Sequence, residues 1–286
     1  MFVIAGVTGH VGSIAASELL AKKQPVKVIV RDAKKGEAWS KKGAEVAVGL
    51  LEDQTFLSGA LRGASAFFAL LPPNYAVADF YGFQRRTADA IAGAVKAASV
   101  SHVGLLSSVG ADLPDGTGPI KGLHYLENVL RGTGAVLTAI RAGYFQENLG
   151  GALAPAKQQG IYPNFTPSAD YPMPMIATRD IGMLVAESLI AKPRQSEVVD
   201  LHGPKYTQRD LAHKLGAALG KQLQIVNIPE AEWIPALTKG GVPPAVAEVY
   251  AEMYHAFSTG IIKPCGDRMV EGKTPIDEVV KALASA

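Results

Sequence analysis

The chain has 286 residues, 48 % of them hydrophobic and 19 % charged, with a formal net charge of +2. These proportions fit a folded globular protein with one large core, or a core plus a smaller lobe, and they exclude a disordered chain. No Lys/Arg run is dense enough to favour nucleic acid, no apolar run reaches a bilayer span, and the single cysteine, Cys265, excludes an intrachain disulfide. The lone thiol fits a reducing, cytoplasmic setting. The six histidines lack metal-ligand spacing, so no metal is expected. The apolar start Phe2-Val3-Ile4-Ala5 reads as a core strand rather than a signal peptide.

In chain order, short apolar runs alternate with longer amphipathic segments up to about residue 150. Predicted strands are Phe2–Ala5, Val26–Val30, Glu45–Val48, Ala66–Ala69, Val103–Leu106 and Ala135–Ile140. Predicted helices between them are His10–Lys22, Lys34–Lys41, Gln54–Leu61, Asp79–Ala98 and Ile120–Arg131. Near-continuous apolarity in the strands implies that both faces of the sheet are covered, which gives an α/β fold with a doubly wound parallel sheet. Past Gly150 the rhythm loosens, and Pro155, Pro163, Pro167, Pro172 and Pro174 argue against a continuous helix. Further helices are expected at Thr178–Ala191, Gln208–Leu219, Glu230–Thr238, Pro244–Phe257 and Thr274–Ala284, and strands at Val198–Leu201 and Gln224–Ile228. The expected division is a Rossmann domain over 1–150 and a smaller α/β lobe over 151–286, packed on the first as a lid without a core of its own.

The run Gly6-Val7-Thr8-Gly9-His10-Val11-Gly12 follows the first strand and opens directly into a helix. A diphosphate can approach the backbone closely there, where free N–H groups and the helix dipole favour negative charge. Side chains at Gly6 and Gly9 would block that approach, and Gly12 allows tight helix–strand packing. A nicotinamide dinucleotide is therefore the expected cofactor. The second strand ends in Arg31, with Lys34 and Lys35 beyond it, where a cation accepts a 2′-phosphate and a carboxylate would accept a ribose hydroxyl. NADP(H) is thus expected in preference to NAD(H), with Arg31 as a plain surface residue the competing reading and Asp32 turned away or capping the next helix. Asp53 either accepts from the adenine amino group or only caps the helix at Gln54. Leu70-Leu71-Pro72 closes the fourth strand as a wall near the ribose or diphosphate. Ser107-Ser108 ends the fifth strand at the nicotinamide edge.

Together the glycine run, the Val30-Arg31-Asp32 strand end, Ser107-Ser108-Val109-Gly110-Ala111, and Arg141-Ala142-Gly143-Tyr144-Phe145-Gln146-Glu147-Asn148 resemble the NmrA-like branch of atypical short-chain dehydrogenase/reductases. The similarity runs over nearly the whole chain, and the last segment is more specific than the glycine run. The resemblance implies a Rossmann domain and a small C-terminal lobe, with the substrate cleft between them. It also implies that Tyr144, Phe145 and Asn148 line the substrate pocket near the nicotinamide. Members include quinone and triphenylmethane dye reductases, isoflavone-type reductases, and non-enzymatic regulators that sense NADP(H).

The superfamily's Tyr-x-x-x-Lys pair is absent: none of the nine tyrosines has lysine four residues later. Ketone reduction and sugar epimerisation need a strong proton donor and are disfavoured. Quinones and cationic dyes are intrinsically good hydride acceptors, so positioning supplies much of their catalysis. The expectation is an NADPH-dependent reductase of a conjugated, electron-poor acceptor, without flavin or metal, working as a monomer or homodimer away from membranes. Its proton comes from water or from His124 or Tyr125, with Lys121 standing in for the missing lysine. An NADP(H) sensor acting through a protein partner is the alternative. Phe165, Tyr171, Met173 and Trp233 are read either as further pocket walls or as ordinary core.

Overall fold

In the computed structural model, which describes residues 1–285, the first half runs β1 (Phe2–Ile4), α1 (His10–Ala21), β2 (Val26–Val30), α2 (Ala33–Ser40), β3 (Glu45–Val48), α3 (Gln54–Leu61), β4 (Ala66–Ala69), α4 (Phe80–Ala97), β5 (His102–Ser108), α5 (Ile120–Arg131) and β6 (Val136–Ala142). Side chains alternate across these strands, so Phe68 packs with α1 on one face while its neighbour Phe67 packs with α3 and α4 on the other. Both are fully buried, which explains the unbroken apolar runs.

The second half continues with β7 (Tyr144–Phe145), a 3-10 helix (Gln146–Ala152), α6 (Leu153–Gln159), β8 (Ile161–Asn164), β9 (Met173–Ile176), α7 (Thr178–Ala191), β10 (Glu197–His202), β11 (Lys205–Tyr206), α8 (Gln208–Leu219), β12 (Gln224–Asn227), α9 (Trp233–Lys239), α10 (Pro244–Ser258), β13 (Arg268–Glu271) and α11 (Ile276–Ser285). The main sheet has eight parallel strands in the order β3-β2-β1-β4-β5-β6-β10-β13. It therefore draws β10, β13 and the covering helix α7 from beyond residue 150. The order in which successive strands are laid down reverses between β1 and β4, and ligands of such sheets bind in the crevice outside the carboxyl ends at that point.

A separate apolar cluster, including Leu149, Tyr162, Met175, Leu211, Leu215 and Ile276, builds a small lobe around α6, α8 and α11. Its strands form a two-stranded sheet (β12-β8) and a three-stranded one (β11-β9-β7). The proline-rich stretch holds no continuous helix, as the sequence indicated, but it is not all loop: Pro155 sits in the short α6, and two strands follow. Pro163 lies within β8 and Pro174 within β9, both in small sheets of four-residue strands where one missing donor is tolerated.

Candidate active site

The turn after β1 is built from its glycines. Gly6 has φ +67°, a left-handed conformation that disfavours any side chain, and a Cβ there would strike Leu70. A Cβ on Gly12 would lie 2.5 Å from the Gly6 carbonyl oxygen and 2.6 Å from that of Ala5, both rigid backbone. Gly9 differs: its Cβ would meet only the Gly6 oxygen at 3.5 Å, an ordinary contact. No side chain caps the first turn of α1. Thr8 and His10 are exposed, whereas Val11 is buried in the core and offers only its backbone to a ligand.

At the carboxyl end of β2, Arg31 is exposed and has no carboxylate partner among the described residues. Asp32 caps α2, its carboxylate accepting from the Lys34 N–H at 2.9 Å, and the exposed Lys34 side chain is left for other work. Asp53 caps α3 with one oxygen, which accepts from the Phe56 N–H at 2.9 Å. Leu70, Leu71 and Pro72 are half-buried where the chain leaves β4, with Leu70 against the glycine turn.

The two serines ending β5 diverge because adjacent strand residues face opposite sides. Ser107 is buried and donates to Glu127 Oε1 on α5 at 2.6 Å. Glu127 is also held by Arg141 of β6 in a two-pronged pair, with Nε to Oε1 at 2.9 Å and Nη2 to Oε2 at 2.8 Å. Arg131 adds a third contact at 2.9 Å from the helix edge. Glu127 and Arg141 are almost completely buried, so this pair ties α5 to the sheet from below. Ser108 donates to the Val109 carbonyl oxygen at 3.0 Å and stays half-buried at the sheet edge.

Three residues of α5 were candidates for proton transfer, and each has a local partner. His124 Nδ1 lies 2.9 Å from the Ala111 carbonyl oxygen, an acceptor only, so Nδ1 carries the hydrogen. Its Nε2 faces the Asn128 amide nitrogen at 2.9 Å, while Asn128 Oδ1 accepts from Arg131. This chain of contacts holds the His124 ring as a bridge between α5 and the loop after β5. Tyr125 points to α4, donating to Asp89 at 2.7 Å beneath the Arg85 guanidinium. Lys121 pairs with Asp115 and lies over the Tyr81 ring. Burial and the neighbouring Glu252 push the Tyr81 hydroxyl up to about 12.

Beyond the end of β6 the small lobe encloses a cavity of about 630 Å³. Tyr144 and Asn148 form part of its wall; Phe145 points into the main core instead. Tyr162, Phe165, Tyr171 and Met173 supply further walls, and Tyr254 and Phe257 close it from α10. Phe165 and Tyr254 lie 5.5 Å apart, and Tyr144 meets Phe257 edge-on at 6.4 Å. Trp233 is not on the wall; it packs edge-on behind Tyr254 at 5.9 Å. Burial raises the Tyr144 and Tyr254 hydroxyls above the ordinary range, so both remain protonated donors at neutral pH. None of His124, Tyr125 and Lys121 lines this cavity.

The distinctive segment after β6 makes the junction. Gln146 is fully buried and donates to the carbonyl oxygens of Met175 and Thr274, and Glu147 accepts from the Thr178 N–H and hydroxyl at the start of α7. The segment thus locks the lobe to the sheet and leaves Tyr144 and Asn148 facing the cavity. Across the cleft, Tyr75 in the loop after β4 meets the Tyr250 hydroxyl at 2.6 Å. The α10 residues escaped the sequence reading, although Tyr250, Tyr254 and Phe257 recur at the four- and three-residue spacing of one helical face.

The sequence profile of the NmrA-like family matches residues 1–282. An NAD(P)H azoreductase of Xenophilus azovorans is 27 % identical over 256 residues, covering 89 % of this chain and 86 % of that protein. Quinone oxidoreductase 2 of Escherichia coli K12 is likewise 27 % identical over 259 residues, covering 88 % and 86 %. Among solved structures, a Citrobacter triphenylmethane reductase complexed with NADP(H) superimposes with a TM-score of 0.82 at 22 % identity, over 99 % of this chain and 100 % of that one. Since the family match spans both the eight-stranded sheet and the small lobe, this chain belongs to the NmrA-like family.

Proposed function

We propose that this protein is an NADPH-dependent reductase that passes hydride to a quinone or similar conjugated, electron-poor acceptor. The observation that carries the reading is the aromatic cavity beyond the carboxyl end of β6, in a parallel sheet whose β1 leads, at the same carboxyl edge, into an uncapped glycine turn. Its volume suits a small planar ligand. The 27 % identical quinone oxidoreductase and azoreductase support the same class of acceptor.

The residues present fit a dinucleotide. The Gly6 and Gly12 positions admit no side chain, so the backbone is bare where a diphosphate would lie. We assign the diphosphate to the turn Gly6, Thr8, Gly9, His10, Val11 and Gly12, the 2′-phosphate to Arg31 and Lys34, and the adenine edge to the second oxygen of Asp53. Leu70, Leu71 and Pro72 are assigned to the ribose wall, and Ser108 to the nicotinamide edge. Ser107 serves at one remove, through Glu127. When bound, NADPH supplies a hydride from its nicotinamide C4. Tyr144, Asn148 and the aromatic walls orient the acceptor, and the small lobe excludes bulk water as a lid. Hydride brings two electrons and one proton equivalent; a second proton from water completes the hydroquinone. This route needs no buried acid, in keeping with a His124 held at both ring nitrogens by local partners and with Tyr125 and Lys121 turned elsewhere.

Single-turnover mixing with NADPH and a naphthoquinone, without oxygen and with chelator present, is expected to yield hydroquinone and NADP+ in equal amounts. Formation of neither product would sink the proposal. Dependence on an added flavin would refute direct transfer.

A further inference from the structure

The wall of the acceptor cavity carries an asymmetry of charge. Twenty-seven residues line it, and the only charged one among them is Lys239. No carboxylate is present, and the polar remainder comprises neutral groups such as Asn148, Gln159, Gln208 and Thr166. Lys239 ends α9 at the rim and is exposed, with neither an ion pair nor a hydrogen bond to another group among the described residues.

An acidic substituent on a planar acceptor would meet its counter-charge at this rim while its rings lie among Tyr144, Phe165 and Tyr254. A cationic acceptor meets the opposite field. Tyrosine faces attract cations by a modest amount, but no carboxylate is available to compensate a buried positive charge. From this arrangement we infer that Lys239 is a specificity-determining residue, which selects aromatic acceptors bearing a sulfonate or carboxylate over cationic ones. The inference rests on the cavity being the acceptor site.

The test measures binding apart from turnover. The dissociation constants of 1,2-naphthoquinone and its 4-sulfonate are read on the NADP+-loaded protein by quenching of intrinsic fluorescence, to which Trp233 behind the wall contributes. Taking the ratio between the two ligands cancels losses common to both. Relative to the wild type, the sulfonate's advantage is expected to fall about five-fold in Lys239→Gln, the worth of one solvated charge contact. In Lys239→Glu it should fall about twenty-five-fold, and Lys239→Arg should retain it. Raised salt should erode the wild-type advantage and leave the Lys239→Gln ratio flat. A ratio that stays the same across all four proteins would overturn the role of Lys239. Turnover of both quinones with an unmoved ratio would sink this inference alone, whereas a shifting ratio without any turnover would sink the reductase reading and keep the anion preference.

Discussion

Gly9 and Gly12 lie three residues apart in the same turn, yet the structure assigns them different work, and substituting alanine at each separates ligand binding from packing. A Cβ at Gly12 would come within 2.5 Å of the Gly6 oxygen and 2.6 Å of the Ala5 oxygen. Ordinary carbon–oxygen contacts need close to a further ångström, and neither carbonyl can yield without moving β1 or α1. Overpacking of this kind costs about 1–3 kcal/mol, which lowers the midpoint of thermal unfolding by about 5 °C in a chain of this size. At Gly9 the nearest atom would be 3.5 Å away, and φ −103° is open to any residue. Alanine there is a poorer helix start than glycine and costs under about 1 kcal/mol. Its methyl group, however, stands on the uncapped turn where a diphosphate would lie. Gly9→Ala should therefore keep a near-native melting temperature while NADPH affinity drops by about ten-fold or more. Gly12→Ala should lose both stability and affinity. Thermal unfolding followed by circular dichroism, beside an NADPH titration by calorimetry, reads the two quantities separately. A Gly9→Ala protein that binds NADPH as tightly as the wild type would refute the reasoning and reduce the glycine run to a packing device.

Removing the Arg31 side chain should weaken NADPH by about ten-fold or more, the worth of a charge-assisted contact, and leave NADH nearly untouched; equal losses would remove its 2′-phosphate role. His124→Ala should keep quinone turnover within about three-fold, because loss of a general acid would cost about a hundred-fold or more; a drop of that size would restore His124 to the chemistry. Glu127→Gln leaves buried Arg141 with only Asp112, 3.5 Å away and exposed, as counter-charge and should cost about 3 kcal/mol in urea unfolding; a change under about 1 kcal/mol would show that the pair contributes little. Burial pushes the His102 pKa down to about 4 from 6.5. Between those values the unfolded chain binds a proton that the folded chain refuses, so stability should fall by about 3 kcal/mol as pH drops through this window and stay level above it. His102→Gln should abolish that slope; an unchanged slope would place its origin in other groups.

The central strands of the main sheet are legible in the sequence because they are covered on both faces and read as nearly unbroken apolar runs. Phe67 and Phe68 illustrate this, each buried on its own side. Strand β13 is not legible: it lies at the sheet edge, and Arg268, Met269 and Glu271 face solvent, leaving no apolar pattern to find. The glycine turn carries its own signature, since Gly6 and Gly12 answer to local sterics. Side-chain direction is another matter. That Tyr125 would turn to Asp89, and His124 to Ala111, depends on which helix and loop pack beside α5, which composition and spacing do not reveal. Ser107 and Ser108 likewise differ only once the sheet faces are known. The cavity is legible only in part: Tyr144, Asn148, Phe165, Tyr171 and Met173 are among the expected or possible walls, whereas Tyr254 and Phe257 come from a distant helix whose periodic stripe reads equally as core until α10 is placed.

The central claim is that NADPH and a planar acceptor meet in one site of this chain and react there. Its most direct test is the loss of nicotinamide absorbance when the protein turns over NADPH with a panel of quinones, azo dyes and enones, run beside an NADPH binding titration. Saturable oxidation with at least the quinones, abolished together with binding in Gly12→Ala, is the expected result. Tight and NADPH-selective binding with no oxidation across the whole panel would contradict it, and would make the protein a sensor of NADP(H) rather than a reductase.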